Sequence, residues 1–252
     1  MPFTHLHTHS HFSLLDGLSK IDPLVEAAKS LGMKALALTD HGVMYGTVSF
    51  YNKCQSSGIK PIIGMEAYVA PRSLSDKDGK QDADYFHLTL LAENDTGYKN
   101  LMQLSTLGHT EGFYYKPRID KELLKKHASG LIALSGCQRG EIARSVIQSQ
   151  ESGQKALEVY LDIFGPQNFF LEIQRNAKND EDKRQETTLN NRLIALSRAN
   201  GIGLVATGDS HYIHPEDAEA QDILVCIGTG RTVDDTNRLD MRSHELSLKS
   251  PE

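Results

Sequence analysis

The sequence predicts an α/β fold in which a parallel sheet closes into a barrel. Seven short apolar segments alternate with segments of helical periodicity, a pattern typical of parallel strands joined by right-handed crossovers. The chain has 252 residues, and undivided α/β barrels of this length are common. Polar residues repeatedly follow the predicted strands but do not precede them, which favours a site at the carboxyl face of a barrel. We therefore expect a closed seven-stranded barrel rather than an open sheet.

The predicted strands are short runs of apolar residues. The first contains Phe3 and Leu6 and ends in a histidine-rich segment, residues 7–11. The other six are predicted over residues 35–39, 61–69, 86–91, 131–135, 169–173 and 204–207.

Helical periodicity and capping residues place helices between these strands. Asp22 is a predicted N-cap, Pro23 occupies the first helical position, and the first helix stops at Gly32. Further helices are predicted over residues 45–57, 94–107, 141–148, 152–164, 181–200 and 216–227, with a short one before residue 130. Residues 71–84 are predicted to be an exposed loop with a solvated charge run, 112–120 a tyrosine-rich crossing, and those after about 228 an irregular tail.

Composition limits the classes of function. The net charge is -6, so no global basic field gathers nucleic acid, and any phosphate-binding charge must be local. The three cysteines are odd in number and far apart, which argues against a disulfide framework and for a reducing cytoplasm. No apolar stretch is long enough to span a bilayer, and the first residues lack the features of a secretory signal. We expect a cytoplasmic protein with no membrane partner.

Residues able to bind a metal gather at the exits of six predicted strands. They are His7, His9, Asp16, His41, Glu66, His87, Cys137, Asp209 and His211. Nine ligands are too many for one ion and suit two or three, with bridging carboxylates. Imidazoles and a thiolate favour zinc, with manganese or iron as alternatives. Taken singly, each residue also fits an ordinary role, such as a histidine pair at a strand end or a small buried cysteine.

Charge counting indicates the kind of substrate. Three divalent ions with three carboxylates and one thiolate would leave a positive site in an acidic protein, which suits a phosphate ester. Candidate phosphate contacts are Lys116, Arg118, Arg139 and Arg175, each of which also fits an exposed basic side chain. The six other histidines are assigned to the surface or to a supporting role, although His5 shares a strand face with His7 and His9.

Several longer motifs resemble the polymerase and histidinol phosphatase (PHP) family. They are residues 3–10 (FTHLHTHS), 13–17 (SLLDG), 39–42 (TDHG), 64–70 (GMEAYVA) and 87–92 (HLTLLA). Residues 112–119 (GFYYKPRI), 134–137 (LSGC) and 208–212 (GDSHY) resemble one branch, the amino-terminal domain of the α subunit of bacterial DNA polymerase III. The resemblance implies a distorted seven-stranded TIM-like barrel, a three-metal site at the nine positions above, and phosphoesterase chemistry. Gly208 departs from the pattern, where asparagine is more usual.

The resemblance also implies a biological setting. We expect residues 1–252 to be a single PHP domain from the amino-terminal part of a longer replicative polymerase subunit, with the tail leading towards the polymerase part. The expected activity is a 3′–5′ proofreading exonuclease on a DNA 3′ end, in which a metal-bound hydroxide attacks the terminal phosphodiester and no protein base is assigned. The expected partners are the polymerase remainder of the chain and other replicase subunits.

Two other functions stay open on the sequence alone. The metals could instead be structural, in a scaffold that stabilises the polymerase and docks a proofreading subunit. A free phosphatase for a small phosphomonoester is the third possibility.

Overall fold

The computed structural model describes residues 3–251, which form a curled sheet with helices packed against it. The strands are β1 (Ala35–Leu38), β2 (Lys60–Val69), β3 (Phe86–Ala92), β4 (Phe113–Tyr114), β5 (Lys116–Ile119), β6 (Leu131–Leu134), β7 (Phe169–Gln174) and β8 (Leu204–Thr207). The helices are α1 (Ile21–Ser30), α2 (Thr47–Ser57), α3 (Gly79–Ala83), α4 (Asp95–Thr110), α5 (Lys121–His127), α6 (Glu141–Gln148), α7 (Gln150–Phe164), α8 (Asp180–Asn200) and α9 (Ala218–Thr229). Six of the seven predicted strands are present, and the predicted tyrosine-rich crossing contains the β4–β5 hairpin.

One strand reverses the predicted direction. The sheet order is β4-β5-β2-β3-β6-β7-β8, with β1 beside β2, and β3 is antiparallel to both of its neighbours. The prediction of an all-parallel sheet is therefore wrong. The connection from β2 to β3 contains only the five-residue helix α3, whereas a parallel crossover usually needs a full helix. The reversal places His87, near the start of β3, beside Tyr68 near the end of β2.

The histidine-rich segment pairs with a neighbour on each side but is not a regular strand. Thr8 forms an isolated parallel bridge with Ser210, just beyond β8. On the other side, the backbone N–H groups of Ala37 and Thr39 donate to the carbonyls of His5 and Thr8, each at 2.9 Å. His5 and Thr8 are three residues apart, whereas their partners Ala37 and Thr39 are two residues apart. One residue of the first chain segment therefore bulges, and the ladder is interrupted. The segment lies between β1 and the exit of β8. It therefore links the two ends of the strand path β1-β2-β3-β6-β7-β8.

The core lies between the sheet and helices α4 to α8. Leu90, Leu101 and Phe169 are fully buried there, and each such side chain stabilises the fold by about 1.5–3 kcal/mol. A second cluster, including Leu24 and Phe50, packs α1 and α2 against β1. These helices cover the faces of the sheet and leave the end that carries the polar residues free.

The predicted exposed loop at residues 71–84 is partly ordered by an ion pair between exposed Arg72 and buried Asp82. Asp82 in α3 is 1% exposed and accepts hydrogen bonds from Arg72 Nε at 2.9 Å and Nη2 at 2.5 Å. The prediction that all of residues 71–84 form an exposed loop is wrong at Asp82, whereas the charge run at residues 75–80 is mostly exposed.

The segment after α9 is irregular, as predicted, but it packs back on the domain. Leu246 and Leu248 are buried, and the N–H of His211 donates to the Leu246 carbonyl at 2.8 Å. The segment therefore covers the loop that follows β8. Among residues 3–251, none of the helices is long and apolar enough to cross a bilayer.

Candidate metal centre

All nine predicted ligands lie together at the polar end of the sheet, and Glu66 is at their centre. Its Oε1 lies 3.2 Å from His7 Nε2 and 2.7 Å from His87 Nδ1. Its Oε2 lies 2.5 Å from His41 Nδ1 and 3.6 Å from His9 Nε2. One buried carboxylate from β2 therefore contacts four imidazoles, as a bridging ligand would.

Asp209 is a second centre of contacts. Its Oδ1 lies 3.4 Å from His7 Nε2, 3.3 Å from His9 Nε2 and 3.6 Å from His211 Nδ1. Asp209 has a φ of 50°, a left-handed conformation that is uncommon outside glycine and that recurs at functional sites. The loop after β8 is thus bent so that Asp209 meets the histidine-rich segment.

Gly208 fits this loop without disturbing it. A Cβ atom at this position would lie 2.9 Å from Cε1 of His5, closer than side chains normally approach. His5 itself is buried and faces away from the cluster, because its Nε2 is 3.0 Å from the carbonyl of Lys249. Burial lowers the pKa of His5 to about 4, so this ring is neutral near pH 7.

The remaining predicted ligands complete the cluster on two sides. Asp16 Oδ2 lies 3.2 Å from His41 Nε2 at the exposed side. Cys137 Sγ is buried, 3.8 Å from His87 Nδ1 and 4.0 Å from Glu66 Oε1. Burial raises the pKa of the Cys137 thiol well above its usual value, and the nearby carboxylates raise it further. A bound cation would be needed to hold this side chain as a thiolate.

The spacing of these atoms suits divalent metals. Zinc bonds of about 2.0–2.2 Å to nitrogen and oxygen in a tetrahedron place the ligand atoms about 3.3–3.6 Å apart. Several of the contacts above, from 3.2 to 3.6 Å, match this spacing. Three overlapping groups have ligand atoms within 4.8 Å of one another: His9–His41–His211, His7–His9–Glu66 and His41–Glu66–His87. Overlapping groups of this kind favour more than one ion.

Unpartnered buried atoms give an independent test of fit. Within residues 3–251, seven of the predicted ligands have a buried nitrogen or oxygen that makes no hydrogen bond: His7, His9, Asp16, His41, Glu66, His87 and Asp209. Leaving such atoms unpaired costs about 1–3 kcal/mol each. Four of these atoms, His7 Nε2, His9 Nε2, Glu66 Oε2 and Asp209 Oδ1, are linked by contacts of 3.3 to 3.6 Å, so metal ions between them would satisfy them together. The residues present therefore fit a divalent-metal cluster.

The electrostatics of the cluster keep its central carboxylate ionised. Burial alone would lower the pKa of His7, but the carboxylates of Asp209, Glu172 and Glu66 raise it well above its usual value. Burial likewise opposes ionisation of Glu66, yet the surrounding histidines hold the pKa of this carboxyl well below its usual range. The protein thus keeps its carboxylates ionised at the centre of the site.

Hydrogen bonds to one nitrogen fix the orientation of two of the imidazoles. Ser13 donates its hydroxyl hydrogen to Asp40 at 2.8 Å, so its oxygen accepts from His9 Nδ1, also at 2.8 Å. His211 Nδ1 donates to the carbonyl of Asp209 at 2.8 Å. In both rings the other nitrogen, Nε2, therefore carries the lone pair, as metal ligation requires.

Glu172 supports His7 in the same way, and the sequence analysis missed it. Its Oε1 lies 2.7 Å from His7 Nδ1, and its carboxylate also accepts from the Thr207 hydroxyl and from Gln174 Nε2, the latter at 3.1 Å. The Glu172 side chain is fully buried in β7. The available signal was a charged residue inside an otherwise apolar strand, which carries no motif.

Arg118 is not a phosphate contact in this structure. It is fully buried, and its guanidinium donates to the carbonyls of Gly112, Asp82 and Asp76 at 3.3, 2.7 and 3.1 Å. The prediction for this residue is wrong, because the guanidinium is used to hold a loop together.

The other three predicted phosphate contacts lie at or near the surface. Arg139 is exposed beside Tyr85, and Lys116 is half-buried beside Tyr68. Arg175 is exposed at a cavity of about 630 Å³ beyond β7 and β8. These three stay predictions.

Comparison with known proteins identifies the family. The sequence model of the PHP domain matches residues 5–176, more than half of the chain. The chain belongs to the PHP family. It is 47% identical over its whole length to DNA polymerase III subunit alpha from Treponema pallidum, and 46% identical to that from Thermus aquaticus. The chain spans about a fifth (21%) of the length of these curated relatives.

Solved structures agree on the fold of this PHP domain. An amidohydrolase from Chromobacterium violaceum with bound sulfate has a TM-score of 0.52 and 13% identity, covering 82% of this chain and 87% of its own. A candidate metal-dependent phosphoesterase from Bifidobacterium adolescentis has a TM-score of 0.50 and 15% identity, with the same coverage. At this identity the likeness shows the fold alone.

Proposed function

We propose that this PHP domain is a metal-dependent phosphodiesterase that acts as a 3′–5′ exonuclease in DNA replication. The observation that carries the proposal is the contiguous set of nine potential ligands, seven of them with unpartnered buried donor atoms. The similarity to DNA polymerase III alpha subunits supports DNA as the substrate.

The residues of this chain have distinct roles in the proposal. Glu66 and Asp209, together with the surrounding imidazoles, would hold two or three divalent ions. The imidazoles and Cys137 favour zinc, with manganese or iron as alternatives. Bound ions would supply a water of lowered pKa as nucleophile and neutralise charge on the phosphate. Glu172 and Ser13 would hold His7 and His9 in the tautomers that ligate.

The wider setting is part of the same proposal. Residues 1–252 would be one domain of a longer cytoplasmic replicative polymerase, and the DNA 3′ end, the polymerase part and other replicase subunits would be its partners. With β1, β2, β3, β6, β7 and β8, the histidine-rich segment would form a distorted seven-membered barrel, because it is hydrogen-bonded both to β1 and to the loop after β8.

Three measurements on the purified chain test the function. We expect hydrolysis of a single-stranded oligonucleotide with a 3′ mismatch, no comparable hydrolysis of a generic phosphomonoester, and loss of the nuclease activity with a chelator. Phosphatase activity without nuclease activity would indicate a small-molecule phosphomonoesterase instead.

A structural scaffold is the second candidate, and one observation favours it. The histidine-rich segment links both ends of the sheet, so metals held by His7 and His9 would stabilise the closure of the fold. A large fall in Tm with chelator, together with no hydrolysis of either substrate, would select this candidate.

A further inference from the structure

A group of tyrosines lies directly against the imidazoles of the metal centre. The rings of Tyr85 and His87 are stacked, with centroids 5.8 Å apart and planes 9° apart. Tyr68 meets Tyr85 edge-on at 4.8 Å and is stacked on His41 at 5.8 Å. His87 is buried whereas Tyr85 is half-buried, so the aromatic surface extends from the ligands towards solvent.

Two basic side chains lie over these rings. The Arg139 guanidinium is 5.3 Å above the Tyr85 ring, and Lys116 Nζ is 5.4 Å from the centroid of Tyr68. Within residues 3–251 neither cation forms an ion pair, whereas Arg144 pairs with Asp84 at 2.6 Å. In a protein of net charge -6, these are two unneutralised positive charges beside the metal centre.

The β4–β5 hairpin carries Lys116 and has an exposed tyrosine at its turn. Tyr115, at the turn, is 70% exposed and has a φ of 60°. Pro117 of the hairpin packs closely against Gly42, since a Cβ atom on Gly42 would lie 2.8 Å from Cγ of Pro117. Gly42 thus permits a close approach that keeps Lys116 beside the loop of His41.

We propose that Tyr85, Lys116 and Arg139, here called the aromatic rim, bind the unpaired 3′ end of a single-stranded nucleic acid, and that Tyr68, which is only 5% exposed, supports Tyr85 and Lys116 rather than meeting a base. Every base has a flat face that stacks on an aromatic ring, and interleaved cations neutralise the phosphates between bases. A fully paired end keeps its base faces stacked inside the duplex, so the rim should favour single strands. The inference deepens the proposed nuclease function and rests on it only for the polarity of the strand.

Binding to a strand that resists hydrolysis tests the rim. The probe is a labelled 12-nucleotide oligodeoxythymidine with phosphorothioate linkages at its 3′ end. Its binding to the metal-loaded chain is measured by fluorescence anisotropy. We expect Tyr85→Ala to raise Kd by about 5- to 150-fold, the range that loss of stacking on one aromatic side chain gives. Arg139→Gln should also weaken binding and lower the salt dependence, the slope of log K against log salt, by about 0.7, because one phosphate contact is lost.

Matched variants separate the rim from general effects of substitution. Tyr85→Phe keeps the ring and should keep the wild-type Kd. Tyr51→Ala removes a 47% exposed tyrosine from α2, and Arg198→Gln removes an exposed arginine near the end of α8, so both should bind like wild type. Metal content is measured for every variant, so that loss of the His87 ligand would be recognised.

Two results would overturn the aromatic rim. One is an unchanged Kd in both Tyr85→Ala and Arg139→Gln, and the other is equal affinity for the single strand and a blunt duplex of the same length. If wild type binds the strand but does not hydrolyse its unmodified form, the proposed nuclease function is contradicted and the rim stands.

Discussion

The two sides of the metal centre differ in how firmly their side chains are held. His7, on the inner side, is fully buried and hydrogen-bonded to Glu172, a buried carboxylate with further partners of its own. Asp16, on the outer side, is 31% exposed on a short turn and contacts His41, which is 11% exposed. The inner ligands cannot move without breaking buried hydrogen bonds, whereas the outer ones can.

This difference separates binding from access. An ion on the inner side should be held tightly and should stabilise the fold, because its ligands are already oriented. An ion on the outer side should exchange more readily and lie where a substrate can reach it. The metal that each variant retains therefore tests this ordering.

The largest effect is expected for His9, which contacts both sides. His9→Ala removes the nitrogen that lies 3.3 Å from Asp209 Oδ1 and 3.6 Å from Glu66 Oε2. We expect hydrolysis to fall by at least about 100-fold, most of the metal to be lost and Tm to decrease. Asp209→Asn should behave alike, and the exposed His11→Ala serves as the control. Unchanged turnover in either variant would refute the ligand assignment.

Glu172 should have the next largest effect although it contacts no ion itself. Glu172→Gln weakens the acceptor for His7 Nδ1, so metal affinity should fall by about 10- to 100-fold. Competition with a chelator of known affinity measures this change. The matched control is Glu158→Gln, at an exposed position. Equal metal affinities for the two variants would show that Glu172 does not support metal binding.

Cys137 gives an intermediate effect that depends on the metal. A serine hydroxyl replaces a thiolate poorly, so Cys137→Ser should lose part of its metal, zinc above all, and become more sensitive to chelator. Cys54→Ser and Cys226→Ser remove other buried cysteines and should retain the full complement. If Cys137→Ser also retains it, this residue is not a ligand and the site shrinks to eight residues.

The smallest effect is expected at the outer side. Asp16→Asn should lose only the weakly held ion. With chelator present, its free energy of unfolding should differ from that of wild type by less than about 0.5 kcal/mol, because Asp16 is partly exposed. Chemical denaturation with and without chelator measures the free energy of unfolding of the metal-bound and metal-free forms. Complete loss of metal in this variant would mean that the two sides bind as one unit.

The fold was predictable wherever a local pattern decides it. Alternating apolar and amphipathic segments located six strands and most helices. The direction of β3 was not predictable, because a short run buried on both faces reads the same in either direction. The bulge in the histidine-rich segment depends on hydrogen bonds to residues 37, 39 and 210, which are distant in sequence.

The site shows the same boundary between local and distant information. The nine candidate ligands were predictable because histidine, cysteine and carboxylate beside apolar runs are chemically distinctive. The structure brings all nine together, although His87 lies near the start of β3 rather than at a strand exit. The prediction for Arg118 was wrong because its role depends on hydrogen bonds to the carbonyls of Gly112, Asp82 and Asp76, which the sequence around Arg118 does not reveal. A single arginine looks the same in sequence whether it is buried or exposed.

Elemental analysis of the purified chain shows whether it binds a cluster of metal ions. Metal per chain is measured for wild type and for the His7→Ala/His9→Ala double variant during stepwise chelation. We expect two or three divalent ions in wild type, with the last ion leaving only at high chelator concentration, and almost none in the double variant. Less than one ion per chain in wild type, or equal content in the two proteins, would contradict it.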